Sequence, residues 1–245
     1  MTASTISSGP AVRCATLRRE FGEGSARTTV LHDLDLEVGR GERLFLVGPS
    51  GCGKTTLVSL MAGLLTPTSG RVEVLGQDLA LLRGDDLVRF RARHVGFVFQ
   101  QFNLIPALTA VENAAVPLLL LGVSQREALR RAGALLDRLG MQPHLSKKPH
   151  QLSGGQQQRV AVARSLVHDP RLLICDEPTA SLDAEAGQTV MALLQEVAES
   201  PNRAVIVVTH DNRILQFASR IVHLSDGRIV DPAQPEARIH EGMGT

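Results

Sequence analysis

The stretch Gly48-Pro49-Ser50-Gly51-Cys52-Gly53-Lys54-Thr55 constrains this chain more than any other, because it fits G-x-x-x-x-G-K-[ST] and sits between a buried-strand pattern and a helical one. Arg43 to Val47 is the nearly continuous apolar run before it, and Lys54 to Leu64 is the helical pattern after it. Such a strand, turn and helix is an α/β element whose glycines let backbone N–H groups turn inward around an anion, where the helix N-terminus adds partial positive charge. Lys54 is placed to neutralise β- and γ-phosphate oxygens, Thr55 to put its hydroxyl on Mg²⁺, and Thr56 stands next to them on the same helix. The loop implies nucleotide binding and leaves the enzyme class open.

The rest of the chain extends the α/β pattern. Leu172 to Cys175 and Ala204 to Val208 are also nearly continuous apolar runs, as expected of parallel strands buried on both faces. Around Ala11 to Leu17, Leu34 to Val38 and Arg71 to Val74 apolar and polar residues alternate, which predicts half-buried antiparallel strands beside that core. Ile221 to Val230, with Asp226-Gly227 at its centre, reads as a hairpin with a type I′ turn. From about 101 to 164 the pattern is helical, with Ser124 placed to cap a helix that runs to Leu139 and stops at Gly140. The expected fold is therefore an α/β core with a mainly parallel sheet, an antiparallel β subdomain and an inserted helical subdomain.

Composition excludes several classes. With 26 basic and 25 acidic side chains the formal net charge is +1, too small a field to draw nucleic acid or an anionic membrane. The basic clusters at Arg89, Arg91 and Arg93, at Arg126, Arg130 and Arg131, and at Lys147 and Lys148 read as solvated helix faces. Cys14, Cys52 and Cys175 are scattered and form no C-x-x-C pair, so neither a disulfide framework nor a zinc site is expected, and a reducing cytoplasm fits. Met1 to Pro10 lacks both a basic start and an apolar stretch, and reads as a disordered tail instead of a signal peptide. Val116 to Leu121 is far short of the roughly 20 apolar residues that span a bilayer, and Pro117 and Gly122 punctuate it. The chain is expected to be soluble.

A second functional pair follows the run Leu172 to Cys175. Asp176 and Glu177 stand at the carboxyl edge of the sheet, where open α/β folds bind ligands. Asp176 suits a water-mediated hold on Mg²⁺, and Glu177 suits accepting a proton from an attacking water. Leu152-Ser153-Gly154-Gly155-Gln156 opens another helical run, Gln157 to Val167, and a serine with two glycines before a helix is a further place for anionic oxygen.

The order of phosphate loop, Gln100, Leu-Ser-Gly-Gly-Gln at 152–156, Ile-Cys-Asp-Glu-Pro at 174–178, Ser181-Leu182-Asp183 and His210 resembles the ABC ATPases over roughly Val12 to Val230. That resemblance implies ATP and Mg²⁺ as ligands, and a dimer in which the signature of one copy closes over the ATP held by the other. Ser153, Gly154, Gly155 and Gln156 would then meet ATP in trans, and Asp183 would link the two sites. Gln100 would sense Mg²⁺ and the attacking water, and His210 would contact the γ-phosphate. The family's adenine-stacking aromatic falls to Phe21 in a chain with no Trp and no Tyr.

Phe97 to Pro106, followed by Leu108-Thr109-Ala110-Val111-Glu112-Asn113 and Pro117, is similar to the branch serving lipoprotein-release and macrolide-export systems, with the cell-division ABC subunit close by. The resemblance implies an integral membrane permease as partner, with the chain peripheral on the cytoplasmic face of the membrane, and Leu104, Leu108 and Val111 as docking candidates. A ribosome- or DNA-acting ABC protein is disfavoured, since the chain holds one cassette and no long coiled coil. The expected organisation is one domain over 1–245, with core and β subdomain at about 11–100 and 165–230, a helical subdomain at about 101–164, and flexible tails at 1–10 and 232–245.

Overall fold

The computed structural model describes residues 9–179, 182, 184–198 and 200–231. Along the chain, β1 (Val12–Phe21) and β2 (Thr28–Val38) form a long antiparallel pair, and β3 (Arg43–Val47) leads through the glycine-rich loop into α1 (Lys54–Met61). β4 (Ser69–Val74) and β5 (Gln77–Asp78) complete a four-stranded sheet in the order β2-β1-β4-β5. Next come α2 (Asp85–His94) and β6 (Val95–Val98), then the helices α3 (Ala110–Leu120), α4 (Gln125–Arg138) and α5 (Gly154–Leu166). The chain returns through β7 (Leu172–Asp176), α6 (Ala184–Ala198) and β8 (Ala204–Val208) to a hairpin of β9 (Arg220–Ser225) and β10 (Arg228–Val230). The second sheet has six strands in the order β10-β9-β3-β8-β7-β6, parallel throughout except for β10.

Every residue of β7 and β8 is buried, which explains why their sequences show no polar alternation. Side-chain alternation divides these strands between two cores. Phe45, Leu173, Cys175, Val205 and Val207 face a cluster built with α3, α4 and α5, where Ala114, Leu118, Leu136, Met141 and Val160 meet. Leu44, Leu46, Leu172, Ile174, Ile206 and Val208 face the other way, onto α1 and the small sheet, among Leu57, Met61, Leu17 and Leu31. A fully buried leucine of this kind contributes about 1.5–3 kcal/mol, so the sheet anchors both layers. Its carboxyl edge is held rigidly where β3 and β7 deliver the phosphate loop and the acid pair.

Local signals account for most boundaries. Asp226 and Gly227 have φ of 43° and 71°, the two positive values a type I′ hairpin needs. α1 stops at Met61, three residues before the expected Leu64, with Gly63 at φ 65° just beyond. α5 starts at Gly154 instead of Gln157, because Ser153 caps it. Ser124 occupies the cap position of α4 but makes no side-chain cap bond, whereas Thr109 and Glu112 form a reciprocal capping box on α3. Pro117 lies inside α3 without ending it.

β6 carries no strand signal of its own, being four residues long with a glycine inside. Gly96 is there because β6 lies tightly against α5: a Cβ would collide with the Ser165 carbonyl oxygen and stand 2.9 Å from Pro170 Cγ. Gly96→Ala is expected to lower stability by about 1–3 kcal/mol through overpacking, measured as the midpoint of denaturant unfolding. An unchanged midpoint would mean that the helix yields at no cost.

Candidate functional site

Gly53 occupies the cap position of α1 with φ of 102°, a left-handed conformation that aims the first helical N–H groups into the loop. At the loop's start a Cβ on Gly48 would collide with the Leu224 carbonyl oxygen and touch Cys52 Sγ. Lys54 is buried and folds back across the turn, donating to the Gly48 carbonyl at 2.8 Å and the Pro49 carbonyl at 2.7 Å, with Cys52 Sγ 3.7 Å away. Cys52 is itself buried, a small side chain under the loop.

Across the sheet edge, Thr55 Oγ1 donates to Asp176 Oδ2 at 2.9 Å. Asp176 is 4% exposed, and its other oxygen, Oδ1, is buried without a hydrogen-bond partner. Burial pushes the Asp176 pKa up; the Thr55 hydroxyl opposes this, the Glu177 charge adds to it and the Lys54 charge opposes it. A desolvated carboxylate with one free oxygen beside a threonine hydroxyl is an all-oxygen donor set that fits a hard cation such as Mg²⁺.

Glu177 follows with φ of 53°, unusual for a residue other than glycine, and its N–H donates to the Val208 carbonyl at 2.9 Å. Its Oε1 lies 2.7 Å from Nδ1 of His210, and while Glu177 is largely covered, the His210 side chain is 72% exposed. Gly48, Ser50, Gly51, Gly53, Lys54, Thr55, Thr56, Gln100, Asp176, Glu177 and His210 line one cleft of about 410 Å³ together with Val30 and Val208. Sequence reasoning did not single out Val30, whose strand β2 gives no motif.

The four signature residues and Phe21 stand apart from this cleft. Ser153 accepts from the Gln156 N–H at 3.3 Å while Gln156 Oε1 accepts from the Ser153 N–H at 3.1 Å, so Ser153, Gly154, Gly155 and Gln156 form a capped helix start that does not line the cleft of their own chain. Gln156 Nε2 also lies 3.1 Å from His144 Nε2. Phe21 ends β1 outside the cleft lining, with the Arg19 guanidinium 4.4 Å over its ring. Asp183 and Ser181 lie outside the described residues.

A phosphate loop joined to an acid pair at a parallel sheet's edge defines a nucleotide-binding α/β protein. The ABC transporter family model matches residues 31–180, and the chain belongs to that family as one of its ATPase cassettes. It is 45% identical over 214 residues to the macrolide export ATP-binding/permease protein MacB of Vibrio parahaemolyticus, covering 87% of this chain and 33% of that one. The chain thus spans about a third of that relative's length. It is also 42% identical over 211 residues to an uncharacterized ABC transporter ATP-binding protein of Methanocaldococcus jannaschii, covering 86% of this chain and 94% of the relative. Among solved structures it resembles the dimeric post-hydrolysis state of the ATP-binding cassette MJ0796 bound to ADP and Pi, with a TM-score of 0.85, 38% identity, and coverage of 89% and 96%. No helix of the described residues is long and apolar enough to cross a membrane.

Proposed function

We propose that two copies of this chain close around two ATP molecules, hydrolyse them, and energise a separate membrane permease that exports or extracts a substrate of the lipoprotein or macrolide kind. The observation that carries this is the division of the site: one cleft holds Lys54, Thr55, Gln100, Asp176, Glu177 and His210, while Ser153 and Gly154 are exposed and Gly155 partly exposed outside it. Each chain offers half of an active site and the cover for another. The dimeric form of the similar cassette MJ0796 supports this arrangement.

In this reading Lys54 leaves the Gly48 and Pro49 carbonyls for the phosphates, and backbone N–H groups of the turn from Ser50 to Thr56 hold the β-phosphate. Thr55, Asp176 and Gln100 would hold Mg²⁺ directly or through water, and when bound it would supply charge neutralisation beside the phosphates. Glu177 accepts a proton from the water whose oxygen bonds to the γ-phosphorus while the bond to the bridging oxygen breaks. His210, bonded to Oε1, leaves Oε2 for that proton and fixes the carboxylate's direction. Phe21 offers adenine the ring face that Arg19 does not cover. Asp183 links the two sites. Residues of about 11–100 and 165–230 then form the ATP-binding part, and about 101–164 the moving helical subdomain.

The permease partner is supported by the macrolide export relative, whose name joins ATP-binding and permease in one chain three times the matched length. Such a partner places the chain on the inner face of the cell membrane. Leu104 and Val111 pack against the helical core, so they are poor docking probes, and only their partly exposed edges reach outward. Leu120, 69% exposed beside the apolar groove of about 260 Å³ that Leu64, Val88, Phe97 and Pro117 also line, presents a cleaner surface. Leu120→Glu is expected to leave turnover and melting temperature of the free chain unchanged while removing stimulation by the permease reconstituted in liposomes. Full stimulation of a well-folded Leu120→Glu chain would place docking elsewhere.

A further inference from the structure

Arg164 lies on α5, the helix that Ser153 caps, and its guanidinium reaches back to the segment that follows Gln100. Nη1 donates to the Asn103 carbonyl and Nη2 to the Phe102 carbonyl, both at 2.6 Å. Phe102 and Asn103 have φ of 51° and 49°, left-handed conformations that side chains other than glycine adopt only at a cost. The strained pair turns its two carbonyls to the same side, where the planar fork of a guanidinium fits both.

Burial pulls the Arg164 pKa down from its usual value, yet an arginine side chain remains charged. Among the described residues no carboxylate forms an ion pair with it. A partly desolvated cation answered only by two carbonyl dipoles is an arrangement that packing alone does not require. The next anchor is Asn113 on α3, fully buried, which accepts from the Ile105 N–H at 2.7 Å and donates to the Ile105 and Leu108 carbonyls at 3.1 Å. The segment from Gln100 onward is therefore tied to the helices at both points, while Gln100 itself lines the phosphate cleft on the sheet side.

We propose that Arg164 is a positioning residue that yokes the Gln100 loop to α5, so that a displacement of Gln100 at the phosphate cleft carries the helix and its Ser153 end with it. The proposal rests on the roles given above to Gln100 and Ser153. A helix is stiff over the roughly 16 Å that eleven residues span, so a pull at Arg164 arrives at Ser153 undiminished. The guanidinium matters because two bonds in one plane resist both sliding and rotation of the loop, which the single point charge of a lysine does not.

The test is a double-mutant cycle on the full chain, with kcat and KM for ATP and the melting temperature measured for wild type, Arg164→Lys, Gln100→Ala and the double variant. Arg164→Lys is expected to keep KM and the melting temperature close to wild type and to lower kcat about tenfold. In the Gln100→Ala background the same substitution is expected to cost less than about twofold, because the yoke then pulls on nothing. An equal loss in both backgrounds would overturn the proposal, as would a loss accompanied by a matching fall in melting temperature, which marks a merely structural clamp. Arg164→Gln, whose amide ends two bonds short of the guanidinium nitrogens and so cannot reach both carbonyls, serves the same cycle if the lysine variant does not fold. A Gln100→Ala chain with wild-type kcat would instead remove the sensing role of Gln100 and the yoke with it.

Discussion

A Glu177→Gln chain is expected to bind ATP and to turn it over about 10²–10⁴-fold more slowly than the parent, the usual contribution of a positioned base. The structure argues that little else changes. Glu177 is fixed by its N–H to Val208, by a left-handed backbone, and by the 2.7 Å contact with His210, none of which needs a second carboxylate oxygen to be ionised. An amide oxygen can face Nδ1 as the carboxylate does, so shape is conserved while the proton acceptor is lost. ATP that is bound but not cleaved should then hold two chains together, and size-exclusion chromatography should show a dimer with ATP and a monomer with ADP. Near-normal turnover would remove Glu177 as the base, and a monomer at saturating ATP would remove the closed pair.

How much of this was legible beforehand differs from residue to residue for physical reasons. The phosphate loop can be read directly because each position has a backbone or charge requirement that only one or two residue types meet, as Gly53 in its left-handed cap and Lys54 in its turn illustrate. Asp176 and Glu177 are legible because β7 is buried on both faces, so that its apolar run ends where the carboxylates begin. The central strands and the β9–β10 turn follow from the same local rules.

What was not legible depends on contacts between distant segments. Nothing in Phe102-Asn103 announces positive φ, and nothing near Arg164 announces that its partners are carbonyls some sixty residues earlier. β6 is too short to show a period, and its glycine reflects the Ser165 carbonyl above it, not a turn. Leu104 and Val111 look like surface residues of a recognition segment, yet the fold turns them against the helical core. One face of the Phe21 ring is covered by Arg19, a neighbour two places along the strand on the same side, which alternation allows but does not announce.

The proposed trans arrangement leads to the second large effect. Ser153→Arg is expected to abolish hydrolysis while leaving ATP binding by the monomer nearly intact, because Ser153 stands outside the cleft that holds Lys54. Loss of its cap bond to the Gln156 N–H costs about 0.5–2 kcal/mol of helix stability, too little to unfold a chain whose α5 is buried along Val160 to Ala163. In the proposed closed pair, the substitution puts a long side chain where the second chain's ATP would seat against Gly154 and Gly155, and its bulk holds the two chains apart. Lys54→Ala acts differently: it removes the buried ammonium bonded to Gly48 and Pro49 and so weakens nucleotide binding itself. In a mixed dimer, the phosphate loop of the Ser153→Arg chain meets the intact signature of the Lys54→Ala chain, and one whole site is restored while the other carries both lesions. Mixing the two inactive proteins should therefore return a substantial fraction of wild-type turnover, measured as phosphate release over a titration of one variant into the other. A Ser153→Arg monomer that no longer binds ATP would assign the signature to the site of its own chain, and a mixture that stays inactive although mixed dimers form would exclude composite sites.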